Sequence, residues 1–287
     1  MGTSVALRSI TSPSIILRGR DGAVAAAGLS LGEALNMRPT IITYHGIGDG
    51  SPRDDPHELL VPKDVFADQL DFIVRRRTPV PLEAIVQGNV RTRKPAVAIT
   101  FDDAYRSVLE IAAPMLERRR LPSTVFVPTY WIGRHNGWIE PDLHSEPLAI
   151  MNEEELLEVE RRGIRVETHG SRHVKYWELD RLQVEADVRS SLERLTEILG
   201  RRPTHLAYPF GPTSPEATRV VERCGLEAAF TLELPARGRF AMERVWIRPR
   251  YGLGVFSLKT SGYWSAAWRW STPGRAVATV LRPFYGR

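Results

Sequence analysis

The 287-residue chain has one cysteine, Cys224, so no disulfide can form within it. It has no apolar run of eighteen residues, which excludes an ordinary membrane-spanning helix. No glycine-rich dinucleotide fingerprint follows the first β-type run at 41–45, which argues against a nicotinamide- or flavin-binding fold. The basic excess is small, a net charge of +5, and it is scattered. Its two arginine triplets, at 75–77 and 118–120, fall at the ends of expected helices, where cations suit the dipole. No aromatic–basic module accompanies them, so no nucleic-acid partner is expected. The small apolar stretch 23–31 lies some twenty residues from Met1, with Asp21 before it and Glu33 soon after. It does not read as a secretory signal. Residues 1–38 read as a loosely attached extension, and the expected location is cytoplasmic or peripheral at a membrane.

What remains is the pattern of a folded chain, since 43% apolar and 25% charged residues leave enough apolar surface for a sizeable core. From Pro39 onward, β-type runs alternate with helical periodicity. Runs at 41–45, 96–101, 124–127, 164–168, 206–208, 228–231 and 245–247 read as strands. Between them, Phe66, Leu70, Ile73 and Val74 share one helical face of 63–77, and 82–87 reads as a short helix. Tyr105, Val108, Leu109, Ala112, Met115 and Leu116 share a face of the next helix. Asn152 with Glu155 forms a capping-box start, Asp180 caps a helix that stops at Gly200, and Ser214-Pro215 opens another. Cys224 falls on an apolar helical face and reads as a small core residue. About seven strand–helix alternations require a parallel α/β sheet.

The chemistry-bearing side chains stand at the C-terminal ends of these strands: His45, Asp102 and Asp103, His169, and a Pro209-Phe210-Gly211 turn. A barrel places its active site at that end. Asp102 and Asp103 alone could be a turn capping the next helix, and His169 and His173 alone could be a surface pair. Because both pairs end β-type runs of one alternating pattern, a shared site is the better reading. One carboxylate with two imidazoles is an open coordination set for a catalytic divalent cation, and the other carboxylate is then free to act as a base.

The run from Thr100 to Ser107, continuing through Ala113-Pro114-Met115-Leu116 to Val127, resembles the polysaccharide deacetylase family, also called the NodB-homology group or carbohydrate esterase family 4. Residues 167–173 resemble its second motif and residues 207–211 its third, so the resemblance spans roughly 40–256. It implies a distorted (β/α)7 barrel as a single catalytic domain at 39–256, followed by an aromatic–basic tail at 257–287. It implies Asp103, His169 and His173 as ligands of a divalent metal, zinc with cobalt or nickel as alternatives. Asp102 would be the base, the backbone N–H near Phe210 would bind the oxyanion, and Tyr208 would line the substrate site. The implied activity is a metal-dependent removal of N-acetyl groups from an amino-sugar polysaccharide or oligosaccharide.

Three departures bear on this. Ala104 stands where many members have glycine. Ala207 stands where the third motif often has an arginine that orients the catalytic aspartate, and Arg248 or Arg250 is expected to supply that charge. The family's late histidine acid is missing, since no histidine follows His205. Tyr44-His45 resembles the N-terminal Tyr-His of the poly-N-acetylglucosamine deacetylase subgroup, in which the strand order is circularly shifted, so His45 is expected as the general acid.

Asp49, Asp54 and Asp55 read as turn residues beside His45, and His135, His144 and His205 as loop or surface histidines. Tyr130, Trp131 and Trp138, in the long loop after 124–127, suit either sugar stacking or packing. The tail, with Tyr263, Trp264, Trp268 and Trp270 among arginines, suits barrel packing or a membrane interface. Two rival readings follow. One is a deacylase or deformylase of a lipid-linked sugar at the cytoplasmic membrane face. The other is a catalytically inactive carbohydrate-binding barrel, supported by the missing third-motif arginine.

Overall fold

The computed structural model describes residues 38–50, 55–139, 147–232 and 238–264. The extension at 1–37, Asp54, His144 and the tail beyond 264 lie outside them. In chain order the elements are β1 (Thr40–Tyr44), β2 (Gly46–Ile47), β3 (Leu60–Val61), α1 (Lys63–Arg76), β4 (Thr78–Pro79) and α2 (Leu82–Val86). Next come β5 (Ala96–Phe101), α3 (Ala113–Arg119), β6 (Ser123–Val127), α4 (Glu153–Arg161), β7 (Ile164–Thr168) and α5 (Arg181–Leu199). The series ends with β8 (His205–Ala207), α6 (Pro215–Arg223), β9 (Ala228–Thr231), β10 (Met242–Glu243), β11 (Val245–Trp246) and α7 (Leu253–Lys259).

Parallel pairing runs β1–β5–β6–β7–β8–β9, as short β-runs joined through helices require. The wall then closes by an unusual device. β10 pairs with β9, and β11 pairs with β1, with only Arg244 between them. A single extended run therefore begins on the last wall strand and ends on the first. It serves as the seventh stave of a nearly closed (β/α) barrel.

Side chains alternate across each stave. Ile164 and Val166 of β7 pack outward with Leu156 and Val159 of α4. Ile41, Ala98, Phe126, Ala207, Ala228 and Phe230 fill the lumen, and Leu82 and Val86 of α2 pack with them. The lumen is thus a packed core, and polar chemistry is confined to its two ends. Phe126 and Phe230, centroids 5.7 Å apart, stand between those ends.

Glu167, fully buried, belongs to the end away from the strand C-termini. It accepts from the Thr204 and His205 amides at 2.7 and 2.8 Å and from Arg165 at 2.7 Å. Arg201 also faces it. Burial raises its pKa despite these partners. His205, expected on the surface, is instead the first residue of β8 and fully buried. Burial lowers its pKa to about 4. Glu83, Glu167 and His205 bring ligand-type atoms within 4.8 Å of one another. Glu167, however, is already occupied by four donors, two of them guanidinium groups, so this cluster is a neutralised structural knot.

The expected helix over 105–116 is divided. A π-helical turn at Val108–Ala112 precedes α3. Pro114 explains the widened turn, because it has no N–H for the bond a regular helix would make there. The three expected caps are present, as full capping boxes at Asn152 and Asp180 and a Ser214 cap before Pro215. α7 crosses the expected boundary at 256. Phe256 and Thr260 are buried and Trp264 packs on the main core, so barrel structure extends at least to 264. Among the described residues no helix is long and apolar enough to cross a membrane.

Candidate metal and catalytic site

β5 leads directly into Asp102 and Asp103, which point to different tasks because the backbone turns left-handed at Asp103. Asp102 continues the ladder, its N–H donating to the Tyr44 carbonyl at 2.9 Å. Asp103 and Ala104 then adopt φ of 66° and 54°. Such conformations disfavour L-residues with a Cβ and persist where the surroundings impose them. His173 (φ 55°) and Phe210 (φ 61°) are left-handed too, so four strained non-glycine residues meet at one rim.

Asp103 Oδ1 lies 3.1 Å from His173 Nε2 and 3.5 Å from His169 Nε2, and all three residues are buried. His169 Nδ1 faces the Ala207 carbonyl at 2.8 Å, which leaves Nε2 to face Asp103. The loop carrying both histidines is fixed from α5. Asp187 accepts from the Ser171 and Arg172 amides at 2.8 and 3.0 Å and from the Tyr176 hydroxyl at 2.7 Å. Gly170 (φ 74°) permits the approach, since a Cβ there would lie 2.7 Å from an Asp187 oxygen. The His173 ring stacks on Trp138 at 4.1 Å and meets Phe210 at 4.6 Å on another side.

Asp102 has a separate partner. Arg244 grips it with both nitrogens, at 2.6 and 2.8 Å, in a fully buried bidentate pair. Arg244 Nη1 also reaches the Thr43 and Thr100 hydroxyls at 3.2 and 3.3 Å, and its guanidinium lies 5.2 Å from the Phe126 ring centre. Burial alone would raise the Asp102 pKa, but the charges of Arg244 and His169 outweigh it and leave the carboxyl lowered. Asp103 is likewise pushed up by burial and more strongly down by its two histidines, ending well below the usual carboxylate range. Burial lowers His173, whereas at His169 the two carboxylates outweigh burial and raise it.

The expected arginine is therefore Arg244, not Arg248 or Arg250. Those two reach Glu58 instead, Arg248 at 2.5 Å, and Arg250 is largely exposed. Arg244 occupies the one position where the closing stave passes between β9 and β1, so its side chain enters the lumen above Phe126. A signal was present: a charged Glu243-Arg244 pair between Ala241-Met242 and Val245-Trp246-Ile247, inside a run whose other residues are apolar.

Tyr208 also departs from expectation. Its ring packs outward against Tyr176, and its hydroxyl donates to the Phe240 carbonyl at 2.8 Å. Only its backbone borders the rim. Phe210 is partly exposed beside His173, in a turn closed by the Gly211 amide on the Tyr208 carbonyl. His45 lies at the end of β1 against Trp246, ring centroids 5.0 Å apart. Its Nδ1 is buried with no hydrogen-bond partner among the described residues. Burial lowers its pKa more than the nearby Asp103 and Asp102 raise it. Asp55 is a buried turn residue that accepts the Leu59 and Leu60 amides.

A nearly closed parallel barrel, with two histidines and two differently held carboxylates at the strand C-termini, defines a (β/α) barrel of the NodB type. Residues 89–229 match the family model described as polysaccharide deacetylase. The chain carries a domain of that family. It is 25% identical over 217 residues to YxkH of Bacillus subtilis (strain 168), covering 73% of this chain and 71% of that protein. It is 27% identical over 149 residues to the poly-beta-1,6-N-acetyl-D-glucosamine N-deacetylase of Staphylococcus aureus (strain MSSA476), about half of each chain. Among solved structures, the Streptococcus pyogenes deacetylase PplD in complex with acetate superposes with a TM-score of 0.66 at 19% identity. That match covers 78% of this chain and 97% of PplD. IcaB from Ammonifex degensii gives a TM-score of 0.63 at 22% identity, covering 79% and 96%. These two are similarities of fold. His45 and Arg244 both lie outside the segment that the family model matches.

Proposed function

We propose that the chain is a divalent-cation-dependent hydrolase that removes N-acetyl groups from an amino-sugar polymer or oligosaccharide. The observation that carries this reading is the division of labour between adjacent carboxylates. Asp103 Oδ1 is buried without a hydrogen-bond donor and faces two imidazole nitrogens, whereas Asp102 is held ionised by Arg244. The Asp103, His169 and His173 donors fit a cation: one hard oxygen and two borderline nitrogens, converging on one side and open toward the rim. Zinc suits this set, with cobalt or nickel as alternatives. When bound there, the ion supplies Lewis-acid polarisation of the acetamide carbonyl and a lowered pKa for water.

The chain's own residues do the rest. Asp102, kept as a carboxylate by Arg244, takes the proton of the attacking water. The backbone N–H at Phe210 donates to the oxygen that gains charge as the carbonyl becomes tetrahedral. His45 gives a proton to the departing amine. Its lowered pKa makes it a stronger acid, although a smaller fraction is protonated at neutral pH. Trp246 at one side of His45 and Trp138 on His173 restrict both rings to the rim.

Acetate release and the loss of acetyl mass from a β-linked N-acetylglucosamine tetrasaccharide test the reading. No release under cation-replete conditions, from a protein that retains its fold, would set it aside.

A second reading keeps the chemistry and changes the substrate to a lipid-linked sugar at a membrane face. α7 favours it, presenting exposed Leu253, Val255 and Leu258 beside Lys259. Such a surface suits an anionic bilayer. Co-sedimentation of full-length protein and of a version ending after Trp264 with anionic vesicles tests it, and sedimentation of neither would remove it. The reading as an inactive binding barrel loses its support, because Arg244 supplies the charge missing at Ala207.

A further inference from the structure

A file of aromatic rings leads away from the site on the His173 side. Trp138 stacks on His173, Trp131 meets Trp138 at 5.4 Å, and Tyr130 meets Trp131 at 5.2 Å. These steps are close to the advance of one pyranose along a β-linked glycan, roughly 5 Å, and successive rings meet edge to face, at 72° and 88°, so the file presents faces and edges in alternation to a sugar chain. The file is rigid. The Trp131 indole N–H donates to the Arg172 carbonyl at 3.1 Å, and the Tyr130 amide donates to the Ser171 carbonyl at 3.0 Å. Trp131 also presses on Gly137, where a Cβ would lie 2.6 Å from the indole. The file is therefore tied to the loop that carries both histidines.

At its far end stand two cations. The Arg134 guanidinium lies 4.5 Å from the Tyr130 ring centre and that of Arg172 lies 5.4 Å from it. Both arginines are exposed, as is 43% of Tyr130. Among the described residues neither guanidinium meets a carboxylate, whereas Arg106, Arg119, Arg162, Arg165, Arg189, Arg194 and Arg201 all do. Two like charges beside one ring repel each other, and an anion between or beside them would relieve that repulsion. Guanidinium groups match the planar or tetrahedral oxygens of carboxylate and phosphate.

We propose that Tyr130, Arg134 and Arg172 form a subsite for an anionic group, a carboxylate or phosphate, borne by the glycan two or three sugar units from the acetamide that is cleaved. This deepens the deacetylase reading and rests on it, but binding at the subsite can be read without turnover. The substrate is then an acidic rather than a neutral amino-sugar chain. The aromatic file lines the path of its sugar units and the arginine pair sets its register, placing one particular N-acetyl group over the catalytic residues.

The test uses full-length protein and three tetrasaccharides of one length: a neutral N-acetylglucosamine chain, the same chain with a terminal 6-phosphate, and one ending in a uronic acid. Binding is measured by quenching of tryptophan fluorescence, and acetate release is measured in parallel. Wild-type protein is expected to bind at least one charged chain about tenfold more tightly than the neutral one at low salt, with the advantage shrinking as salt rises. In Arg134→Gln/Arg172→Gln the advantage is lost through KM, with kcat and neutral-chain binding within about twofold of wild type. The charged chain that gains identifies the anion. Equal binding of all three chains by wild-type protein, or equal losses on charged and neutral chains in the variant, would overturn the subsite. Charged-chain binding without acetate release from any chain would keep the subsite and contradict the hydrolase reading instead.

Discussion

Replacing Arg244 with methionine removes the only cation paired with Asp102 among the described residues while keeping a long apolar stem against Phe126. The pair is buried, bidentate and 2.6–2.8 Å long. Breaking such a pair from one side costs about 3–5 kcal/mol of folding stability, because a buried charge is left alone. The sign with pH follows from the Asp102 shift. In wild-type protein its pKa is lowered, so its contribution is fully present above the unfolded value near 4 and is lost as pH falls through the folded value. In Arg244→Met, burial, the largest influence on this carboxyl, is opposed only by His169 and His45, and the carboxyl is expected to rise above its unfolded value. The carboxyl then destabilises as pH rises from about 4 toward the new folded value, by at most about 1.4 kcal/mol per pH unit. Urea unfolding at pH 5 and pH 7 reads both effects, and Asp102→Asn/Arg244→Met provides the control. That double variant removes both charges and is expected to be less destabilised than Arg244→Met alone. A wild-type midpoint for Arg244→Met with an unchanged pH slope would refute the coupling.

Further outcomes are expected. Asp103→Asn, His169→Ala and His173→Ala should each lower bound cation, measured by elemental analysis, and abolish acetate release. Asp102→Asn should keep the cation and lose activity by about 10²–10⁴-fold, and loss of the cation in it would merge the two roles. His45→Gln should slow amide cleavage by about 10²–10⁴-fold but leave 4-nitrophenyl acetate hydrolysis nearly intact, since that leaving group needs no proton. Equal losses on both substrates would remove His45 as the acid. His205, lowered to about 4 in the folded protein, contributes stability that is full above about 6.5 and lost as pH falls toward 4. Thermal melts between pH 4 and 7 should therefore show a shallower acid decline for His205→Gln, and parallel curves would contradict it.

The barrel was legible because each stave is a short β-run ended by a polar or glycine-rich turn, and three of the helices, α4, α5 and α6, open on side-chain caps. The metal-ligand candidates were legible for the same reason: they are adjacent in sequence to strand ends, so local pattern already places them at one rim. What escaped the sequence depends on closure. Arg244 reaches Asp102 only because a five-residue run changes partner from β9 to β1 halfway along, and no local period encodes a change of partner. Tyr208 shows the opposite failure. The motif around it is genuine, but strand alternation turns its ring outward while Ala207 faces the lumen. His205 went unrecognised as a buried residue because strand β8 begins one residue earlier than its apolar run. The Asp187 brace lies on a helix face that reads as polar surface until the loop it holds is seen above it.

The central claim is that Asp103, His169 and His173 hold a cation on which deacetylation depends. Acetate release from a β-linked N-acetylglucosamine tetrasaccharide, measured on chelator-stripped protein before and after stoichiometric zinc, addresses it most directly. Negligible release by the stripped protein, restored by zinc, cobalt or nickel, is the expected result. Full turnover by verified metal-free protein would contradict the account.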